Sequence, residues 1–170
     1  MPGPAWALSD WQRGCLTQCN GSKLYSRRSA DPQLASGMQA RGFGRIVNIT
    51  SAMVKSPHYM MGLSTSARTA LTAICKAISQ DVAKDNVTIN NLLPERIDTP
   101  RQEFMLQRLI AKESISREEA RLRNVQSIAA RRYGTPQEFG AACAFLCSQQ
   151  ASFISGQNLQ LDGGSYDGLV

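Results

Sequence analysis

Three short apolar segments, each far from the next along the chain, limit the fold more than any other feature of this sequence. Arg45-Ile46-Val47-Asn48-Ile49-Thr50 is a β-branched run bounded by glycine and a serine-rich turn. Val87-Thr88-Ile89-Asn90-Asn91-Leu92-Leu93 is a second such run, stopped by Pro94. Gln157-Asn158-Leu159-Gln160-Leu161-Asp162 is a third, ending at Gly163-Gly164. These compositions and boundaries predict strands. The connections far exceed the dozen or so residues that a crossover between parallel strands requires. Helical periodicity fills them, so the expectation is an α/β fold, with a parallel sheet and helices packed against it.

Leu63, Ala67, Ala70, Leu71, Ile74, Ile78 and Val82 recur at steps of three and four, which predicts an amphipathic helix over Ser64–Ala83. Residues 98–130 are charged and helical in pattern, with Phe104, Leu109 and Ile110 on one side. Ser116 with Glu119, and Thr135-Pro136-Gln137-Glu138, read as capping boxes. Phe139, Ala142, Cys143 and Leu146 supply the buried stripe of the helix that follows. Upstream, Asp31 and Pro32 suit the cap and first turn of a helix that Gly42 and Gly44 would end. Residues 1–36 show no sustained period.

A chain of 170 residues, 42% apolar and 19% charged, has the size and balance of one globular domain. No apolar run approaches the ~18 residues needed to span a bilayer, and Met1-Pro2-Gly3-Pro4 does not open a signal peptide, so no membrane role and a cytoplasmic location are expected. The net charge of +6 is spread over Arg27-Arg28, Arg41, Arg45, Arg121, Arg123 and Arg131-Arg132 without an aromatic platform, which favours a solvated surface over nucleic-acid binding. The five cysteines include the pairs Cys15/Cys19 and Cys143/Cys147. With one histidine, His58, and no CxxC pair, the ligand set for a metal is poor, and buried reduced thiols are expected instead.

Four ordered segments resemble the short-chain dehydrogenase/reductase family, especially its acyl-carrier-protein and acetoacetyl-type ketoreductases. They are Gly44–Ser51, Val87–Pro94, Arg132–Glu138 and the closing Phe153–Gly164. The resemblance spans about residues 37–164 and leaves 1–36 as a poorly matching segment. It implies the C-terminal part of a Rossmann-like, doubly wound sheet, about three strands with flanking helices and without the N-terminal βαβ units. It also implies NAD or NADP as cofactor, a small carbonyl or hydroxyl substrate, and a homo-oligomer built on the helix at Ser64–Ala83.

In that family a serine binds the substrate oxygen, a tyrosine transfers the proton, and a lysine lowers the tyrosine pKa and holds the cofactor ribose. Matched by place, these positions are Ser51, Ser64 and Arg68. Only Ser51 keeps the family residue. An aliphatic hydroxyl is a far weaker acid than a phenol, and arginine keeps its proton, so the site is expected to be catalytically impaired. Tyr59 and His58, in the loop leading to the site, are the alternative proton donors. For the cofactor, the resemblance implicates Pro94, Ile97 and Thr99, with Glu95 where relatives carry glycine. The glycine-rich pyrophosphate loop is not found anywhere in the sequence. A non-catalytic binding or oligomerising subunit is the competing expectation.

Overall fold

The computed structural model describes residues 32–169. Helix α1 (Pro32–Ala40) leads into strand β1 (Gly44–Ile49), and the long helix α2 (Gly62–Val82) returns to strand β2 (Val87–Pro94). Helices α3 (Pro100–Glu113), α4 (Arg117–Gln126) and α5 (Pro136–Cys147) then precede strand β3 (Asn158–Leu161). The strands form one sheet in the order β1-β2-β3, parallel throughout. This is the expected α/β, Rossmann-like arrangement. Asp31, Cys15 and Cys19 lie outside the described residues.

The elements begin and end where local chemistry directs. Gly42, at φ +63°, takes the left-handed conformation that ends α1, and Phe43 N–H donates to the Met38 carbonyl. Gly44 opens β1 directly beneath Met38, where a Cβ would stand 2.6 Å from that side chain. Thr135 and Glu138 form a complete capping box at α5, and the Ser116 hydroxyl accepts from Glu119 N–H at α4. α3 has Pro100 in its first turn and Ser114, at φ 53°, at its end.

Alternation along the strands divides the core between two faces. Ile46, Val87 and Ile89 meet Cys75, Ile78 and Val82 of α2 on one face. Leu92 meets Leu146 of α5 and Ala151 on the other. β2 is the central strand, and every residue from Val87 to Leu93 is buried.

One packing expectation is corrected. On α2 the buried set is Thr65, Thr72, Cys75, Ile78, Ser79 and Val82, whereas Leu63 is 93% exposed. The helix rests on the sheet through small side chains that allow close approach, and the larger Leu71 and Ile74 pack at the flank. On α3 the buried anchor is Leu106, and Phe104 is 57% exposed.

A row of asparagines crosses the sheet. Asn48, Asn91 and Asn158 occupy paired positions on the three strands. Asn91 Nδ2 donates to Asn158 Oδ1 at 2.8 Å, and Asn48 Nδ2 reaches Asn91 Oδ1 and Cys75 Sγ, each at 3.1 Å. On the opposite face Asn90 bonds the Ile154 carbonyl and the Gln157 N–H. A strand slip of one residue would leave these buried amides without partners, so the row fixes the register.

Candidate functional site

The carboxyl edge of the sheet carries two loops. After β1 the ladder continues for one residue, with Thr50 N–H donating to the Leu92 carbonyl at 2.9 Å. Ser51 then turns the chain into a short 3-10 turn (Ala52–Val54), and its Oγ accepts from Met53 N–H at 3.2 Å. That leaves the hydroxyl proton of Ser51 available to a substrate oxygen.

Ser64 and Arg68 stand one turn apart on α2, as their spacing predicts. Arg68 Nε donates to Ser64 Oγ at 3.2 Å, and Nη1 donates to the Thr50 carbonyl at 2.6 Å. The guanidinium therefore ties the start of α2 to the backbone immediately before Ser51. All three positions assigned by the resemblance are gathered at one point, Ser51 through the backbone and the other two through side chains. Two of the five guanidinium N–H groups are used in these bonds. Tyr59 is 93% exposed and sits in a 3-10 turn (Tyr59–Met61) capped by the His58 ring, whose Nδ1 accepts from Met60 N–H at 3.3 Å. In this conformation neither side chain makes a hydrogen bond to Ser51, Ser64 or Arg68.

The loop after β2 is braced on several sides. Glu95 N–H donates to the Leu161 carbonyl, and Ile97 forms a parallel bridge to Gly134, flanked by Asp98 N–H to the Gly134 carbonyl at 2.8 Å. Gly134 permits this approach, since a Cβ there would come within 2.8 Å of Ile97 Cδ1. Arg96, at φ 53°, carries its guanidinium to the Asn124 carbonyl and Ser127 Oγ at the end of α4. Arg121 pairs with Asp98 at 3.1 Å. Thr99 occupies the cap position of α3, but its hydroxyl makes no capping bond. Pro94 closes β2, opposite Leu161. Glu95, Ile97, Arg132, Gln160 and Leu161 line a cavity of about 240 Å³ behind this loop. Sequence reading did not single out Arg96, whose left-handed backbone a sequence does not display at a non-glycine residue, and took Arg121 only as part of a scattered basic surface.

Among the described residues no group of three or more His, Cys, Asp or Glu side chains could hold a metal ion. The cysteine expectation holds only in part: Cys75 is buried, whereas Cys147 is exposed at the last residue of α5. Burial pushes the Cys75 thiol up to about 11, against the opposing hydrogen bond from Asn48. No described helix is long and apolar enough to cross a membrane.

A family model described as enoyl-(acyl carrier protein) reductase matches residues 5–166. The chain belongs to the short-chain dehydrogenase/reductase family. It is 37% identical over 150 residues to the NADPH-dependent reductase BacG of Bacillus subtilis, covering 88% of this chain and 58% of that protein. It is 30% identical over 147 residues to an acetoacetyl-CoA reductase of Cupriavidus necator, covering 86% of this chain and 55% of the relative. Among solved structures, YwfH, an NADPH-dependent reductase involved in bacilysin biosynthesis, superposes with a TM-score of 0.79 at 29% identity, covering 99% of this chain and 65% of its own. L-sorbose reductase from Gluconobacter frateurii, solved with NADPH and L-sorbose, gives 0.75 at 25% identity, covering 84% of this chain and 56% of its own. This short-chain dehydrogenase/reductase chain thus spans little more than half the length of the curated relatives compared here.

Proposed function

We propose that the chain is an NAD(P)-linked reductase-type protein for a small carbonyl or hydroxyl substrate, with proton transfer at its own site severely weakened. The observation that supports this reading most directly is the hydrogen bond from Arg68 to Ser64. At the place where relatives of this family set a phenol, a serine hydroxyl accepts from a guanidinium. General acid catalysis needs a group whose pKa lies near the working pH, and neither partner meets that need.

The remaining roles are proposed from the family resemblance, with the geometry in support. Ser51 offers its hydroxyl proton to the substrate oxygen. Arg68 orients the turn before Ser51 and presents its remaining N–H groups to ribose hydroxyls. Ile97, Thr99 and Pro94 shape the contact for the carboxamide end of the cofactor, Thr99 through the hydroxyl that the helix cap does not use. Bound nicotinamide would supply the reducing equivalent. The names of the relatives point to a short 3-oxoacyl thioester or a similar ketone as substrate, and to NADPH over NADH.

The test is fluorescence titration with NADPH, followed by NADPH consumption with acetoacetyl-CoA. Weak binding, near a Kd of about 1 mM, with negligible turnover is expected. Steady turnover by the unmodified chain would refute the impairment. A second reading, a binding or oligomerising subunit, draws on the exposed apolar groups around this edge: Ile49 is 60% exposed beside the outer edge of β1, and Leu63 lies open at the start of α2. Light scattering on a sizing column distinguishes the two, since a stable monomer removes the support for association.

A further inference from the structure

The cavity behind the β2 loop holds an acceptor that has no donor. Part of its wall is apolar, formed by Ile97, Ile128 and Leu161. Gln160 also lines it, and its Nε2 donates to Asp162 Oδ2 at 3.0 Å. A carboxylate only accepts, so this bond fixes which way the amide lies and leaves Oε1 as an acceptor. That oxygen is buried and, among the described residues, has no hydrogen-bond partner. Thr88 Oγ1 shares this condition, but Thr88 does not line the cavity. Buried polar atoms are normally paired, so Gln160 Oε1 marks a place where a donor belongs.

The charges around the cavity are also out of balance. Three carboxylates, Glu95, Glu138 and Asp162, line it with one guanidinium, Arg132. Glu138 takes up Arg132 through two bonds, at 2.9 and 2.5 Å. Glu95 has Arg96 at 3.6 Å. Asp162 accepts from Gln160 Nε2 and from the Gly164 and Tyr166 N–H groups, yet among the described residues it joins no ion pair. Its negative charge is therefore uncompensated, and a carboxylate has roughly four lone-pair sites, more than these bonds use.

We propose that this cavity binds a small organic cation bearing N–H donors, an alkylguanidinium or alkylammonium. One N–H would donate to Gln160 Oε1, the positive charge would offset Asp162, and the alkyl body would rest on Ile97, Ile128 and Leu161. A volume of about 240 Å³ falls below the range of pockets for drug-sized ligands and suits a ligand of this kind. A metal ion is the poorer match, because Glu138 and Glu95 already have cationic neighbours and the wall is partly apolar. The inference goes beyond the reductase reading. Ile97 belongs to both sites, but the cation is tested without cofactor, so the two readings can fail separately.

The experiment titrates butylguanidinium into the whole 170-residue chain, isotope-labelled, and follows its amide NMR spectrum. The Gln160 side-chain amide and the backbone N–H groups of Ile97 and Gly163 should shift together and saturate, with a Kd of about 1 mM for so small a ligand. Tetramethylammonium, a cation without N–H donors, and butyrate, an anion of similar length, should leave these signals in place. Gln160→Met keeps the length of the side chain and removes the acceptor, and should weaken binding by at least about tenfold. Asp162→Asn removes the charge and should weaken it as well. The remaining amide signals report whether each variant keeps the fold, and the two control ions test the site in the unmodified chain if a variant does not. No saturable shift up to about 20 mM butylguanidinium overturns the proposal and leaves the cavity to water. Equal binding of tetramethylammonium, or undiminished binding by a folded Gln160→Met chain, also overturns it.

Discussion

The two loops at the carboxyl edge of the sheet differ in what holds them. The loop after β2 is fastened by backbone bonds to β3 and to the Gly134 turn, and by Arg96 and Arg121 to α4. The loop after β1 is held to β2 at Thr50 and to α2 by the Arg68 guanidinium on the Thr50 carbonyl, and beyond its first turn Tyr59, Met60 and Leu63 are open to solvent. The residues proposed to touch the carboxamide end of the cofactor lie in the first loop, and the positions of the proposed proton-transfer set, with Arg68, lie at the second. The loop proposed to bind cofactor is the more heavily braced of the two, and the proposed loss of the proton donor falls beside the less braced one.

Restoring the chemistry is the strongest way to test this contrast. If the β1 loop lacks only the acid, S64Y/R68K should raise NADPH-dependent ketone reduction by roughly 10²–10⁴-fold over the unmodified chain, the range general acid catalysis supplies. No gain would place the defect in cofactor binding instead. Next in size is the sheet interior. Asn91→Ala strips partners from Asn48 and Asn158 and should cost about 3 kcal/mol in urea unfolding, well beyond any single change in either loop.

Arg68→Ala should cost about 1–2 kcal/mol, since it frees the Thr50 carbonyl and Ser64 together. The helix starts give a finer comparison. Thr135→Ala should lose about 1 kcal/mol, while Thr99→Ala, with no capping bond to lose, should change stability by less than ~0.5 kcal/mol yet weaken NADPH binding.

The smallest effect is one of pH. The Glu138 carboxyl is held down at about 2, first by Arg132 and then by the Thr135 backbone N–H. A carboxyl whose folded pKa is depressed adds stability above its unfolded pKa, near 4, and loses it as pH falls towards the folded value. Acid unfolding of Glu138→Gln should therefore show a smaller loss of stability than the parent chain between about pH 4 and 2.

Much of this architecture was legible because its signals are local. The run Ile46–Ile49, the Pro94 stop, the Thr135 capping box and the spacing that demands parallel crossovers each act within a few residues. Ser64 and Arg68 were placed correctly for the same reason, as i and i+4 on a predicted helix. Long-range pairing stayed hidden. Polar asparagines inside strands look like exposed positions until the register brings Asn48, Asn91 and Asn158 into line. The stripe of α2 looked like Leu63, Leu71 and Ile74 because periodicity reports apolar side chains, whereas close packing on a sheet selects small ones such as Thr72 and Ser79. On α3 the pattern sets Phe104, Leu109 and Ile110 on one side, and only the fold shows that Leu106 is the buried residue.

The Asn48–Cys75 contact gives this molecule a built-in clock. Among the described residues Cys75 is the one buried thiol, sealed between the long helix and the sheet, so a bulky alkylating reagent can reach it only when that helix lifts away. Its labelling rate, measured against that of the outward-facing Cys147, would report how often the two layers separate.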